Sequence, residues 1–375
     1  MPTVRGWLVA GAGLVLLAVG VVSQYQELAL LGGVAVTAVA AASLAVGRPA
    51  AVAVRRSLPS PRTSPGSALR VRLEMRNPGR RSVGVVEPVR GHGGERPVRL
   101  PSLGARAAGG AEYRVLAARR GVVSLGPLRV GRADPLGLAA VYRESGGADR
   151  VWVHPRWERL RTVPAGRVAD PEGTADGAPA GAQTFHSLRD YVPGDDLRLV
   201  HWRSSARLDK LVVREYIDTS QPRLHVIVDD RPTAGGEDRL DEVASAAASV
   251  LATGVQASLH CEVSLVSGRG RDSTGGLPPL LDLLAEARPT PDADLPQALR
   301  LARTRPSGDT AVLVSGALTT TDLRSFGELG HHYSALVAVT VGTEDRPSAP
   351  APVTLLAAGD AAGFVERWNE TSWPR

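Results

Sequence analysis

Two uncharged, apolar runs near the N-terminus constrain this 375-residue chain more than any other feature. Residues 6–26 and 28–47 each provide about 20 residues, the length of helix needed to cross ~30 Å of hydrocarbon. The connector, residues 23–27, is so short that it favours a helical hairpin, and the Gly and Ala of the first run favour close packing. We therefore expect a two-pass membrane anchor over residues 1–54. The alternative for residues 7–22 is a secretory signal peptide.

Arginine placement around the hairpin predicts its orientation. Arg5 precedes the first run, and the connector carries the acidic residue Glu27. Four arginines follow the second run closely: Arg48, Arg55, Arg56 and Arg62. Because cytoplasmic flanks carry the excess of Arg and Lys, we expect an inner (cytoplasmic) membrane protein with both termini in the cytoplasm. The single cysteine, Cys261, excludes a disulfide within the chain and fits a reducing compartment.

Residues 55–163 have the pattern of a β-domain. Leu69, Val71 and Leu73 alternate with charged residues, which is the period of a half-buried strand. Asn77-Pro78-Gly79 is a strong turn signal, and Gly or Pro separates the later apolar runs. The pattern predicts a small antiparallel β-sandwich.

The rest of the chain predicts a linker, a charged segment and an α/β domain. Residues 164–184 are rich in Gly, Ala, Pro and Asp, which is typical of a flexible linker. Residues 185–216 are densely charged. Across residues 217–375, short apolar strands alternate with amphipathic helices, so we expect a Rossmann-like domain with a mostly parallel sheet covered on both faces.

Charge is divided unevenly along the chain. Residues 48–132 contain 18 Arg and 4 Glu, a net charge of +14, whereas residues 217–375 contain 13 Arg and 21 acidic residues, a net charge of −8. A basic domain beside the hairpin is expected to contact anionic lipid of the inner leaflet. Nucleic-acid binding is a further alternative, but no reader motif accompanies the charge, and we expect no nucleic-acid partner.

The charged segment carries the most specific motif in the sequence. It resembles the signature of the bacterial family called domain of unknown function 58. The matching residues are Phe185, Leu188, Arg189, Tyr191, Pro193, Gly194, Asp195, Asp196, Arg198, Trp202, Ala206, Arg207, Leu211, Val213, Arg214 and Glu215. A weaker similarity to the family lies in Arg120-Gly121 and Asp134-Pro135-Leu136-Gly137-Leu138.

The resemblance implies a fold and a class of partner. In this family the C-terminal part is similar to a von Willebrand factor A domain, so a membrane-anchored scaffold or adaptor is expected. The implied partners are a MoxR-type AAA+ ATPase and a transglutaminase-like membrane protein.

A metal-dependent ligand-binding domain is the main alternative to the scaffold. Domains of this kind often bind Mg²⁺ through Asp-x-Ser-x-Ser after the first strand. Here the aligned residues are Asp229-Asp230-Arg231-Pro232-Thr233, and Ser315 stands where a later Asp often completes the site. Asp229, Thr233 and Ser315 form a degenerate candidate site. Because Arg231 would place a cation beside the metal, we expect no metal or other cofactor.

Three roles remain open for the signature residues from Arg189 to Glu215. They can form an internal ionic clasp, in which Asp195, Asp196, Arg198 and Arg207 pair above a packed Trp202. They can instead form a docking surface for a partner protein. Catalysis is the third role, but His186 and His201 lack a nucleophile at recognisable spacing, so we expect no enzyme activity.

Overall fold

The computed structural model describes residues 2–47, 52–164, 183–190, 200–208, 210–218, 222–305, 308–343 and 347–373. For residues 183–190, 208 and 214–218 it describes the path of the backbone. The chain divides into two compact units, Met1–His154 and Pro155–Arg375. Apart from its ends at Pro164 and residues 183–184, the linker expected over residues 164–184 lies outside the described residues.

The expected helical hairpin opens the first unit. Helices α1 (Val4–Val22) and α2 (Gln26–Val46) are both long and apolar enough to cross a membrane, and most of their residues are exposed. Glycines let the two backbones touch. A Cβ on Gly20 would lie 2.4 Å from the backbone nitrogen of Ala29, and one on Gly32 would lie 2.5 Å from the Gly13 carbonyl oxygen. The close packing expected from small residues is confirmed.

Two β-sheets pack face to face in the remainder of the first unit. Their strands are β1 (Ala53–Ser57), β2 (Arg62–Thr63), β3 (Ala68–Arg76), β4 (Val83–Gly91), β5 (Gly94–Leu103), β6 (Ala108–Leu116), β7 (Gly121–Leu125), β8 (Leu128–Ala133), β9 (Ala140–Ser145) and β10 (Asp149–Val153). The three-stranded sheet has the order β1-β3-β6. The seven-stranded sheet has the order β2-β10-β7-β4-β8-β9, with β5 paired to β4. Their pairings are antiparallel except between β2 and β10.

Alternation along β3 places one face of the strand in the core, as expected. Leu69, Val71 and Leu73 are buried, and they pack in one cluster with Leu125 and Leu128 of the opposite sheet. A buried ion pair joins the two sheets beside this cluster. The Arg56 side chain, 5% exposed, donates through Nε to Oε1 of the fully buried Glu87 at 3.0 Å. Arg56 also contacts Asp149.

The signature segment forms a two-stranded ribbon and a short helix in the second unit. Strand β11 (Gln183–Asp190) pairs antiparallel with β12 (Val212–Asp218), with a bulge between Phe185 and Ser187. Helix α3 (Trp202–Leu208) lies between them in sequence, and Val200 forms an isolated bridge to Val213.

A six-stranded, mostly parallel sheet forms the core of the second unit. Its elements are β13 (Arg223–Val228), α4 (Gly236–Gln256), β14 (His260–Leu265), β15 (Gly270–Asp272), α5 (Leu277–Glu286), α6 (Leu295–Arg303), β16 (Gly308–Ser315), α7 (Thr320–Gly327), β17 (Tyr333–Val341), β18 (Val353–Ala358) and α8 (Ala361–Glu370). The strand order is β15-β14-β13-β16-β17-β18, with β15 antiparallel to β14.

Helices cover both faces of this sheet, as the sequence predicts. One apolar cluster joins α4, α5 and α8 to the sheet, and a second joins α6 and α7 to the other face. Helix α7 is followed directly by a 3-10 turn, Glu328–His331. Strand β18 and helix α8 were not predicted.

The sequence predicts that the β-domain ends at residue 163, whereas the first unit of the structure ends at His154. Residues from Pro155 onward belong to the α/β unit. The backbone N–H of Leu160 donates to Thr253 Oγ1 of α4 at 3.0 Å, and the Trp368 indole donates to the Thr162 carbonyl at 2.8 Å. Leu160 and Val163 are buried in the core of this unit. Only tertiary contacts reveal this assignment, because the segment has no strand or helix pattern of its own.

Candidate functional site at the carboxyl edge of the parallel sheet

Three polar residues meet where two neighbouring parallel strands end. Asp229 and Asp230 follow β13, and Ser315 ends β16, the strand paired with β13. Carboxyl ends of parallel strands lie at one edge of a sheet, which is where open α/β folds place ligands. Ser315 Oγ donates to Asp229 Oδ2 at 2.7 Å, and both residues are buried. The structure thus brings together two of the three residues in the degenerate metal site.

Arg231 neutralises the buried carboxylate of Asp229. Its Nε donates to Oδ1 at 2.9 Å and its Nη2 to Oδ2 at 2.8 Å, a bidentate pairing. Its Nη1 donates to Asp322 Oδ1 at 3.2 Å. Burial opposes the charge of the guanidinium, but hydrogen bonds and charges from Asp229 and Asp322 hold the pKa of Arg231 above its ordinary value. One guanidinium therefore bridges two carboxylates from β13 and α7.

The residues at this edge do not fit a divalent metal. Both oxygens of Asp229 already accept hydrogen bonds from Arg231 or Ser315. Thr233 is exposed in a 3-10 turn, and among the described residues it is not a partner of Asp229. The described parts of the chain contain no cluster of three or more His, Cys, Asp or Glu side chains suited to a metal ion. The guanidinium of Arg231 supplies positive charge where a metal would.

Asp322, which the sequence analysis missed, anchors this arrangement from α7. Its Oδ2 accepts from the backbone N–H and the hydroxyl of Thr319, each at 2.9 Å, in a capping box. Burial raises the pKa of Asp322, but these hydrogen bonds and the Arg231 guanidinium outweigh it and lower the pKa. The spacing of Thr319 and Asp322 is a helix-start signal that could have located the cap, though not the contact with Arg231.

Asp230 binds the neighbouring loops and takes no part in the ion pairs of Arg231. Its Oδ1 accepts from the backbone N–H of Ser267 at 2.9 Å, and its carbonyl accepts from the Thr290 N–H at 2.8 Å. Gly316, beside Ser315, contacts the turn after β13 so closely that a Cβ would lie 1.9 Å from the Ala234 carbonyl oxygen. The edge is consequently a tightly packed, ion-paired surface.

The signature residues are placed unevenly by the structure. Tyr191, Pro193, Gly194, Asp195, Asp196 and Arg198 lie outside the described residues. Arg189 lies on β11 opposite Val213, and Arg214 and Glu215 lie on β12 opposite Leu188 and Ser187. The pairings expected within an ionic clasp therefore stay a prediction for these residues.

The described part of the segment contradicts one expectation. Trp202, expected to pack beneath ion pairs, is 66% exposed. Arg203 and Arg207 of the same helix are also exposed. The buried face belongs to Ser205, whose Oγ accepts from the Val212 N–H at 3.0 Å and so joins α3 to β12. The placement of Trp202 differs because the helix turns its small serine side chain, not its indole, toward the ribbon.

A buried histidine forms a second polar cluster that sequence reasoning missed. His225 Nε2 lies 2.7 Å from Ser264 Oγ, and its Nδ1 lies 2.9 Å from the Tyr333 hydroxyl. Burial, and then the charge of Arg305, lower the pKa of His225 to about 3. The neutral imidazole thus links β13, β14 and β17. Cys261 is fully buried, and burial raises the pKa of its thiol to about 12, as expected for a core residue.

Comparison with known proteins gives one family match. The model of the family described as "Protein of unknown function DUF58" matches residues 187–352, which confirms the resemblance drawn from the signature. No curated protein matches the chain.

Similar solved structures overlap small parts of the chain. One is the CARDB domain of a Pyrococcus furiosus protein, with 13% identity, 27% of this chain and 86% of that chain covered, and a TM-score of 0.20. Another is red sea bream transglutaminase, with 15% identity and a TM-score of 0.20; the match covers 28% of this chain and 15% of the transglutaminase chain. A third is a sporulation control protein from Bacillus subtilis, with 13% identity and a TM-score of 0.15; the match covers 28% of this chain and 49% of that chain. Likenesses of this size support no inference about function.

Proposed function

Residues 187–352 belong to the DUF58 family, and from this premise we propose that the protein is a membrane-anchored scaffold or adaptor. It presents a von Willebrand A-like domain to a protein partner in the cytoplasm and carries out no reaction itself. The partner class is a MoxR-type AAA+ ATPase, with a transglutaminase-like membrane protein in the same assembly.

Membrane anchoring is supported by the surface of the hairpin. Its exposed side chains include Trp7, Leu8, Leu14, Val15, Val19, Leu30, Leu31, Val34 and Leu44. An apolar surface of this extent needs a nonpolar environment. The arginines that flank both ends of the hairpin, and the acidic connector between them, favour cytoplasmic termini.

The observation that carries the docking role is the exposed indole of Trp202. Tryptophan and arginine dominate the residues whose loss weakens protein interfaces most. Trp202 is 66% exposed, and Arg203 and Arg207 of the same short helix are exposed as well. We assign the exposed surface of α3 as the surface that contacts the ATPase.

Metal-dependent binding is the weaker of the two candidate mechanisms. Arg231 donates hydrogen bonds to both carboxylate oxygens of Asp229, and Ser315 donates to one of them. Neither oxygen is therefore left for Mg²⁺. The adaptor is therefore expected to bind its partner equally well in nucleotide-free buffer with Mg²⁺ or with a chelator.

The test uses the full chain in mild detergent and a purified MoxR-type ATPase. We expect Trp202→Ala to weaken binding at least about tenfold, the loss typical of a central interface aromatic. Arg207→Ala should weaken binding in the same direction. The matched control is Trp157→Ala, which removes another exposed indole, 39% exposed, from the same unit.

Melting curves separate docking from the ionic clasp. If α3 is a docking surface, Trp202→Ala and Arg207→Ala leave the melting temperature unchanged while binding falls. If Arg207 belongs to a clasp, Arg207→Ala lowers the melting temperature and binding by the folded protein persists. Equal affinity of wild type and Trp202→Ala would refute the assignment of α3, and loss of binding on chelation would support the metal-dependent alternative.

A further inference from the structure

The junction between the hairpin and the β-domain is held by contacts from both helices. At the start of α1, Thr3 Oγ1 donates to the Gly137 carbonyl at 2.6 Å, and the Thr3 N–H donates to the Leu138 carbonyl at 2.9 Å. The receiving turn is stabilised by Asp134, whose carboxylate accepts from the N–H groups of Leu136 and Ala139. These contacts fix the domain against one end of the hairpin.

Two arginines of the β-domain contact the opposite side of this junction. Arg81 Nη1 donates to the Ala45 carbonyl at 2.8 Å, and Arg132 Nη1 donates to the Val46 carbonyl at 3.3 Å. Both carbonyls belong to the last turn of α2, which leaves four carbonyls without helical partners. Arg132 Nε also donates to the Ser82 carbonyl at 2.9 Å. The arginines therefore cap α2 and hold their guanidinium groups close together.

The positive charge of Arg81 and Arg132 exceeds the partial negative charge at the C-terminus of α2. A helix C-terminus is equivalent to about half a negative charge, against two full positive charges here. Within the described residues, neither Arg81 nor Arg132 forms an ion pair with a carboxylate. Burial and the charge of Arg81 lower the pKa of Arg132, as expected for neighbouring cations without a counter-ion.

A cavity of about 480 Å³ opens beside Arg132, which lies in its wall. It is lined on one side by Ala45 and Val46 of α2, and on the other by Ser82, Ser102, Arg132 and Tyr142. The Asp134 carboxylate also lies in its wall, but both of its oxygens accept backbone N–H groups of its own turn. The cavity thus offers hydroxyl groups and a guanidinium beside the apolar end of a helix.

The hairpin places this cavity at the depth of lipid phosphates. Trp7 lies near the start of α1 and Tyr25 in the connector beyond its end, and they are exposed by 66% and 62%. The helical stretch from Trp7 to Val22 is about 22 Å long, which is most of the ~30 Å hydrocarbon thickness. Aromatic residues of this kind mark the two membrane interfaces. The glycine contacts between the helices put Trp7 level with about residue 40 of α2. Ala45 then lies about 7 Å farther out, within the headgroup layer, which is roughly 5–8 Å thick per leaflet.

We propose that the cavity at the end of α2 binds the headgroup phosphate of an anionic phospholipid, which Arg132 contacts from the cavity wall and Arg81 from the adjacent end of α2. The inference rests on the membrane anchoring proposed above. It replaces the general attraction between the basic domain and anionic lipid with a defined binding site. A phosphate matches the forked donors of arginine and supplies the missing negative charge. The exposed side chains of Leu136 and Tyr142 at the same junction suit the acyl boundary and the headgroup layer.

The test measures lipid binding by the full chain in mild detergent. Dihexanoyl phosphatidylglycerol is titrated and adducts are counted by native mass spectrometry. We expect Arg132→Gln to weaken binding at least about tenfold, because one charge-assisted contact is lost. Arg81→Gln should do the same, and because Arg81 is exposed, it tests the site if Arg132→Gln fails to fold. The matched control is Arg150→Gln, an exposed arginine on β10 of the same domain.

Each arm of the titration has a deciding outcome. Equal weakening by Arg150→Gln would mean diffuse charge attraction and would overturn the site. Equal binding of dihexanoyl phosphatidylcholine would overturn the requirement for an anionic lipid. Competition by inorganic phosphate at the same concentration would assign the cavity to a soluble phosphate and overturn the lipid. Release of the wild type from membranes by alkaline carbonate would refute the anchoring itself, independently of the titration.

Discussion

Replacing Arg231 with alanine tests whether the carboxyl edge is held by a guanidinium. The change leaves the Asp229 side chain, which is fully buried, without its counter-charge, and it also removes the contact with Asp322. Breaking a buried pair from one side costs about 3–5 kcal/mol. The Arg231 side chain is 18% exposed, so some water can enter, and we expect a cost near the lower limit, about 3 kcal/mol.

The assay is scanning calorimetry of the full chain in detergent. The α/β unit runs from Pro155 to Arg375, and in a domain of that size 1 kcal/mol shifts the melting temperature by about 2–4 °C. We therefore expect its transition to fall by roughly 6–12 °C in Arg231→Ala. The matched control is Arg324→Ala, which removes an exposed arginine from α7, the helix that carries Asp322. A shift no larger than that of the control would refute the reasoning.

A related variant tests whether the Arg231 guanidinium takes the place of a metal ion. In Arg231→Ser the carboxylate of Asp229 keeps Ser315 as a partner and gains a second nearby hydroxyl, which are hard oxygen ligands. Mg²⁺ should then raise the melting temperature of this variant and leave the wild type unchanged. An equal response of both proteins to Mg²⁺ would contradict the substitution of metal by guanidinium.

The remaining predictions concern the polar core and the hairpin. His225 has a pKa of about 3 in the folded protein and about 6.5 when unfolded, so protonation favours the unfolded state as pH falls below 6.5. At pH 5 the α/β unit should lose about 2 kcal/mol relative to pH 7, and His225→Gln should flatten this dependence in calorimetric scans. Glu87→Ala should destabilise the β-domain by roughly 2 kcal/mol in denaturant titrations, below the 3–5 kcal/mol of a fully unpaired buried charge, because Arg56 loses its buried partner and keeps the half-exposed Asp149; a loss under 1 kcal/mol would contradict a buried pair. Gly32→Leu should separate α1 from α2, since its Cβ would lie 2.5 Å from the Leu17 backbone nitrogen, and a lowered yield of protein in membranes would report it.

Much of the architecture could be predicted because it depends on local patterns. The uncharged runs of residues 6–26 and 28–47 predicted α1 and α2, and the alternation around Val71 predicted β3. The amphipathic pattern within residues 217–375 predicted helices such as α4, whose Leu240 and Val243 are buried. Helix α8 escaped the same reasoning, although Phe364 and Trp368 are buried one turn apart. Its apolar residues are few, so the pattern of a short helix was weak.

The candidate site was predicted in part. The family resemblance pointed to Asp229 and Ser315 as remnants of a metal-binding motif, and the structure places Ser315 Oγ 2.7 Å from Asp229 Oδ2. It also identified Arg231 as incompatible with a metal. The bridge from Arg231 to Asp322 spans 91 residues, and nothing in the sequence near either residue indicates the other.

The sequence by itself determined which segments could cross a membrane, which could form strands or helices, and which segment resembles a known family. Those properties depend on composition and on periods of two or 3.6 residues. Only the tertiary structure decided that Trp202 is exposed, that Leu160 belongs to the second unit, and that Arg132 caps α2. The physical reason is that burial and charge pairing depend on which distant elements pack together, and a single segment does not encode its neighbours.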